Sequence, residues 1–196
     1  MGQIQLQNSF KGYFNTLGHN INWSLLTLSI DVHFILKDDY LFQQGGVADR
    51  LYLLSSGLVR YVSVSGEGKE FTQSFVKGPR IIGSTKSMVT KSNALFGIQA
   101  LESSVVLSYP WETFYSQMRH DKSFLEFYVA LLERIFIEKE ERESAFMKHS
   151  AERRYLDFCA AYPELKNTIQ QQQIASYIGI TPVALSRIRQ KLKFDR

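Results

Sequence analysis

The stretch from Gln171 to Gln190, QQQIASYIGITPVALSRIRQ, constrains this chain more than any other. Ile174, Ala175 and Ile178 fall on one helical face, with a small alanine where another helix could cross closely. Gly179 stands where that helix must end, because glycine enters the left-handed conformation without steric penalty. Thr181 followed by Pro182 reads as an N-cap and a first helical position. Leu185, Ile188 and Leu192 then recur at three- and four-residue steps, the signature of an inward face. Val183, Ser186, Arg187 and Gln190 form the opposite stripe, flanked by Arg189, Lys191 and Lys193. The spacing predicts a helix-turn-helix whose second helix is held on one side and offered to a partner on the other. Arginine, serine and glutamine on an exposed helix suit the major groove of double-stranded DNA. A plain helical hairpin with a solvated face would share the glycine turn but not the whole pattern.

Charge points the same way. Residues 151–196 hold eight Lys/Arg against four Asp/Glu, whereas the first 150 residues balance at fifteen of each. The excess positive charge lies entirely in the segment expected to meet phosphates. Apolar content of 44% with 21% charged residues is that of a folded domain with a smaller second one. A single cysteine, Cys159, excludes an intrachain disulfide framework and suits a reducing compartment. No leader-like segment opens the chain, and no apolar run approaches the twenty residues of a membrane helix, so a cytoplasmic location is expected, with no membrane partner.

Upstream, residues 1–30 read as one or two short helices. From Asp31 to about Tyr109, β-rich runs alternate with turns: Tyr40–Phe42, Leu51–Leu54, Leu58–Val64, Glu70–Val76, Ala94–Leu101 and Ser104–Ser108. Arg60 to Val64 alternates polar with apolar, and Ser65–Gly68 reads as a hairpin tip. Many short strands predict an antiparallel roll of the jelly-roll kind. Pro110 opens a helix, and a long helix follows at about 121–148. Phe124, Tyr128, Leu131 and Ile135 step by four, three and four, a heptad seam. That seam could lie on the chain's own β domain or on a twin; its narrowness favours a homodimer. Further along, Glu138 and Arg142 are spaced to pair across one turn. Ser150 caps a further helix. The expected class is α+β: an N-terminal roll with its long helix at residues 1–149, and an all-α helix-turn-helix domain at 150–196.

A β-roll, a long helix and a terminal helix-turn-helix, in that order, resemble the CRP/FNR superfamily of bacterial transcription regulators. The most specific stretches are Leu58–Tyr61 with Gly68-Lys69-Glu70, Arg154–Leu156 before Tyr162–Leu165, and Ile174 through Arg189. The pattern is similar to shorter, Bacteroidetes-type members. The resemblance implies a homodimeric, sequence-specific regulator on a partly palindromic operator, with an effector site in the roll. RNA polymerase is a further candidate partner. Arg187 matches the family's base-reading arginine, with Ser186, Val183 and Gln190 as neighbouring base contacts. Val183 departs from the glutamate common there; it cannot accept from cytosine N4 but can touch a thymine methyl. Gln171, Gln172, Thr181, Arg189, Lys191 and Lys193 are the phosphate candidates.

The effector candidates are Gly83, Ser84, Ser92 and Asn93. Cyclic-nucleotide-binding relatives carry Gly-Glu and Arg-Ser pairs at these turns, whereas this chain has Gly83-Ser84 and Ser92-Asn93, with Lys91 as the nearest cation. A pocket without its carboxylate and arginine is not expected to bind cyclic AMP tightly. An unidentified small-molecule effector stays open, and no cofactor is implied. His19, His33, His120 and His149 are scattered singly, so no metal site is expected. One cysteine cannot ligate an iron–sulfur cluster, and its spacing from Tyr155 and Leu156 favours a core thiol. No residue constellation supports an enzyme. The competing reading is a ligand-sensing or protein-interaction module with a DNA-silent helix-turn-helix, because the chain stops at Arg196 without the β-hairpin wing of many relatives.

Overall fold

The computed structural model describes residues 3–194, which divide into two compact units. One comprises residues up to Ser63 together with Ser74–Glu133. The other comprises Val64–Gln73 and the chain from Arg134 onward.

The strands form two four-stranded sheets, which belong to the first unit except for Val64 and residues 70–73. The strands are β1 (Asp31–Ile35), β2 (Tyr40–Phe42), β3 (Arg50–Ser56), β4 (Leu58–Val64), β5 (Glu70–Lys77), β6 (Arg80–Ile82), β7 (Gly97–Ala100) and β8 (Ser104–Pro110). One sheet has the order β1-β8-β3-β6 and the other β2-β7-β4-β5. Ile35, Phe42, Leu54, Val59, Ile98 and Val106 fill the core of the roll. The expected polar-out alternation of β4 fails at Arg60. That side chain is only 4% exposed, and its Nε donates to Gln99 Oε1 at 2.8 Å, which is how a buried guanidinium is tolerated. The strand expected from Ala94 begins at Gly97, and Ser65–Gly68 forms the hairpin turn as expected, the Gly68 N–H donating to the Ser65 carbonyl at 2.9 Å.

Helix α1 (Gln3–Thr16) and a 3-10 turn (Trp23–Leu25) precede the strands. The short helix α2 (Thr85–Thr90) lies between β6 and β7, and α3 (Trp111–Met118) and α4 (Lys122–Lys148) follow β8. Aromatic side chains join α1, α3 and the start of α4. The rings of Phe14 and Phe127 are 4.5 Å apart, those of Phe10 and Tyr109 4.9 Å, and those of Trp111 and Tyr128 5.2 Å. Phe124 lies parallel to Tyr128 and edge-on to Phe114, and Asp121 caps the helix through a 2.6 Å bond from the Phe124 N–H.

That packing changes the reading of α4. Of the expected seam, Phe124 and Leu131 are buried within the chain's own core, Tyr128 stacks among Trp111, Tyr115 and Phe124, and Ile135 is half-buried. Apolar side chains at the same heptad spacing, one position along, are more open. Leu125 and Leu132 are half-buried, and Val129 and Phe136 are 53% and 63% exposed. The stripe through Phe124 is thus taken up by the chain's own aromatic core, while the adjacent stripe at the same period is more open.

In the second unit, α5 (Ala151–Ala161), a 3-10 turn (Leu165–Asn167), α6 (Gln171–Ile178) and α7 (Pro182–Phe194) follow α4. Ser150 caps α5 by accepting from the Arg153 N–H at 3.2 Å. Tyr155, Phe158, Leu165, Ile174, Ala175, Ile178 and Leu185 are buried and form the helical core. Cys159 is half-buried, with its thiol near the Tyr155 hydroxyl, and burial first, then that thiol, pushes the phenol up.

Candidate nucleic-acid interface

The turn between α6 and α7 follows from its residues. Gly179 has φ of 76°, and the Ile180 N–H bonds back to the Ala175 carbonyl at 2.9 Å, closing α6 in a Schellman motif. Thr181 Oγ1 accepts from the Ala184 N–H at 3.2 Å, and Pro182 is the first residue of α7. A threonine cap of this kind contributes about 1 kcal/mol.

Leu185 is fully buried, and Ile188 and Leu192 are half-buried, so one side of α7 is anchored. Val183, Ser186, Arg187 and Gln190 are all exposed on the other, Val183 at 63%. The four base-contact candidates therefore share one solvent-facing stripe. Gln171 and Gln172 are exposed at the first turn of α6, and Thr181 is exposed at the turn. Two phosphate candidates are engaged within the protein. Arg189 Nη2 lies 3.4 Å from Asn167 Oδ1, and Lys191 Nζ lies 2.7 Å from Glu152 Oε2. The Lys193 side chain lies outside the described residues.

Residues not singled out as site residues from the sequence hold this motif in place. Arg142 on α4 donates from Nη2 to the Tyr177 carbonyl at 2.7 Å, and Arg154 on α5 donates from Nε to the Ile178 carbonyl at 2.9 Å. Burial pulls the Arg142 guanidinium below its ordinary pKa, while the phenols of Tyr177 and Tyr162 work against that shift. On another side of α6, Ser176 Oγ accepts from the Thr72 N–H at 2.8 Å and donates to the Glu70 carbonyl at 3.2 Å, tying the end of the β4–β5 hairpin to this helix. Spacing along one helix could suggest only the pair of Arg142 with Glu138, because the Tyr177 carbonyl is 35 residues away in the chain.

The candidate effector turns lie in the first unit. Gly83 has φ of 140°, and its N–H donates to the Tyr61 hydroxyl at 3.1 Å. Ser84, where relatives carry a carboxylate, is buried and uses its oxygen to cap α2, accepting from the Ser87 N–H at 3.2 Å. The cation at the Ser92-Asn93 turn is Lys86, not Lys91. Lys86 Nζ lies 2.6 Å from Ser92 Oγ and 3.3 Å from the Asn93 carbonyl, while Lys91 pairs with Glu112 at 2.8 Å. Lys86 was missed because α2 is short and brings a residue six positions upstream back to the turn. Among the described residues, no three metal-ligating side chains come together, and no helix is long and apolar enough to cross a membrane.

Residues 32–121 match the cyclic nucleotide-binding domain family. No curated protein matches the chain in sequence. Solved structures with this fold include FixK2 from Bradyrhizobium japonicum, with TM-score 0.73, 15% identity and 86% of each chain covered. They also include a putative transcriptional regulator of the CRP/FNR family from Eubacterium rectale (TM-score 0.70, 16% identity, covering 88% of this chain and 82% of that one). The c-di-GMP-responsive global regulator CLP of Xanthomonas campestris aligns over 96% of this chain and 92% of its own, with TM-score 0.66 and 12% identity. The chain thus shares the fold of these solved structures, which bears out the fold drawn from its sequence, and residues 32–121 match the cyclic nucleotide-binding domain model.

Proposed function

We propose that this chain is a sequence-specific DNA-binding transcription regulator that acts as a homodimer. The observation that carries this reading is the division of α7, with Leu185 locked inward and Val183, Ser186, Arg187 and Gln190 exposed outward. The basic balance of residues 151–196 and the likeness to solved transcription regulators support it. Arg187 would bridge guanine O6 and N7, and Gln171, Gln172 and Thr181 would set the register on phosphates. The open stripe Leu125, Val129, Leu132 and Phe136 is the dimer seam favoured by exposure, in place of the one centred on Phe124.

The roll is proposed not to take cyclic AMP tightly. Its Ser84 oxygen is spent on a helix cap, the Gly83 N–H is held by Tyr61, and the Lys86 ammonium already binds Ser92. Selection of bound duplexes from a random pool tests the DNA reading, with two half-sites about 34 Å apart expected. Failure to enrich any sequence would favour the DNA-silent alternative, to which the internal pairing of Arg189 and Lys191 lends some weight. Calorimetry with cyclic AMP tests the pocket, and micromolar affinity would overturn that part.

A further inference from the structure

A helix ends with backbone carbonyls that none of its own N–H groups can reach. At the end of α6 two of these are taken by arginines from other helices. The Tyr177 carbonyl accepts from Arg142 at 2.7 Å and the Ile178 carbonyl from Arg154 at 2.9 Å. Arg154 also donates from Nη1 to the His149 carbonyl at 2.7 Å, so one guanidinium spans the α4–α5 junction and the end of α6. Phe146 on α4 lies beside both charges, its ring centre 4.8 Å from the Arg142 guanidinium carbon and 4.9 Å from that of Arg154. Arg142 also lies over the Tyr177 ring at 4.2 Å. The same phenylalanine reaches the turn itself. A Cβ built on Gly179 would stand 2.5 Å from Phe146 Cε1, so the close approach exists only because that residue is glycine.

Positive charge at a helix C-terminus complements the negative end of the helix dipole, and hydrogen bonds from charged donors are the stronger kind. Two bidirectionally placed guanidiniums and a ring fix both the position and the rotation of the last turn of α6. The recognition helix begins at Pro182, four residues beyond the nearer of the gripped carbonyls. Any tilt allowed at the clamp is therefore passed along α7. Arg187 lies about 9 Å down that helix from Thr181 at 1.5 Å per residue, far enough to convert a tilt into a displacement at the base edge.

We propose that Arg142 and Arg154, stacked on Phe146, are positioning residues that set the aim of the recognition helix relative to the long helix. Neither needs to touch DNA. The proposal rests on the DNA-binding reading above and adds a residue-level device to it. Because α4 also carries the proposed dimer seam, the clamp joins the element that pairs two chains to the element that reads bases.

The test uses the full-length protein and two duplexes, one from the selection and one of random sequence. Affinity for the first is measured at moderate salt and for the second at low salt, alongside a thermal melt. Arg142→Gln is expected to lower affinity for the selected duplex about tenfold, because a recognition helix free to tilt has to be ordered when it binds. Affinity for random DNA, which depends on phosphate attraction, should stay within about twofold. Arg142→Lys should recover part of the loss, since an ammonium reaches one carbonyl but cannot stack as a planar group does. Where Arg142→Gln does not fold, the ratio of the two affinities in Arg142→Lys and Phe146→Leu decides the matter. Parallel loss of both affinities, tracking the melt, would reduce the clamp to a folding contact and overturn the proposal. Equal discrimination by wild type and folded variants would overturn the clamp alone. A wild type with no sequence preference would overturn the clamp together with the DNA reading beneath it.

Discussion

Two turns in this protein are written in nearly the same letters. Gly83-Ser84 opens α2 in the roll, and Gly179-Ile180-Thr181 opens α7 in the helical unit. In each, a glycine with positive φ is followed by a hydroxyl residue that caps a helix. Around the first, polar groups turn to one another: Tyr61 to Gly83, Ser84 to Ser87, the Ser87 hydroxyl to the Ala48 N–H, and Lys86 to Ser92. Around the second, internal bonds engage the support and the flanking Arg189 and Lys191, while Ser186, Arg187 and Gln190 are exposed. The same local grammar therefore builds a closed turn in one place and a presenting platform in the other. What differs is how far the capped helix runs, six residues against thirteen, and which of its faces the core claims.

The contrast can be broken most forcefully at the proposed pairing step, because a platform that is to read a two-part site would work only in duplicate. Val129→Asp with Phe136→Asp should convert a dimer to a monomer by sedimentation. Operator affinity should drop by about a hundredfold or more as the second contact ceases to be intramolecular. An unchanged dimer would place the seam elsewhere. Next in size is Arg187→Ala, expected to remove about 1–3 kcal/mol of discrimination at one base position in each half-site. Competition between selected and mismatched duplexes measures it, and an unaltered preference would mean that another side chain reads. Gly179→Ala should follow, since alanine at φ of 76° is strained and its Cβ meets Phe146. A loss of about 1–2 kcal/mol is expected from the conformation alone, read as a lower melting temperature.

The smallest effect belongs to the roll. His33 Nε2 is 2.8 Å from Ser108 Oγ, which also accepts from Arg50 Nε at 2.8 Å. Burial first, and Arg50 second, hold this histidine below its ordinary 6.5, against the opposing pull of Asp31. A depressed value means that the unfolded chain takes up the proton first. Stability is thus complete above about pH 6.5 and falls as pH drops from there towards the folded value. Melting temperatures at pH 7.5 and 5.5 should differ less in His33→Asn than in wild type, and identical slopes would refute the assignment.

Much of this was readable beforehand where the information is local. The helix-turn-helix came through because glycine, an N-cap threonine and proline each impose backbone geometry within a few residues, and because Leu185, Ile188 and Leu192 repeat within one helix. The Ser65–Gly68 turn and the cap at Ser150 were legible for the same reason. Arg60 was misread, since alternation says nothing about a partner such as Gln99 waiting on a neighbouring strand. Lys86 escaped notice because a turn of α2 had to carry it back to Ser92. Which of two adjacent apolar stripes on α4 the core would claim was not legible, since both share the heptad period and only the aromatic packing buries the one through Phe124 and Leu131.

By itself, the sequence determined the order of elements, the turn that launches α7 and the stripe it presents, because each depends on dihedral preferences and periodicities that act over a few residues. Tertiary structure alone decided which face of α4 stays open, which lysine reaches the Ser92-Asn93 turn, and that Arg142 and Arg154 grip the end of α6. Those outcomes depend on acceptors and rings far along the chain, and only the packed fold brings them within reach.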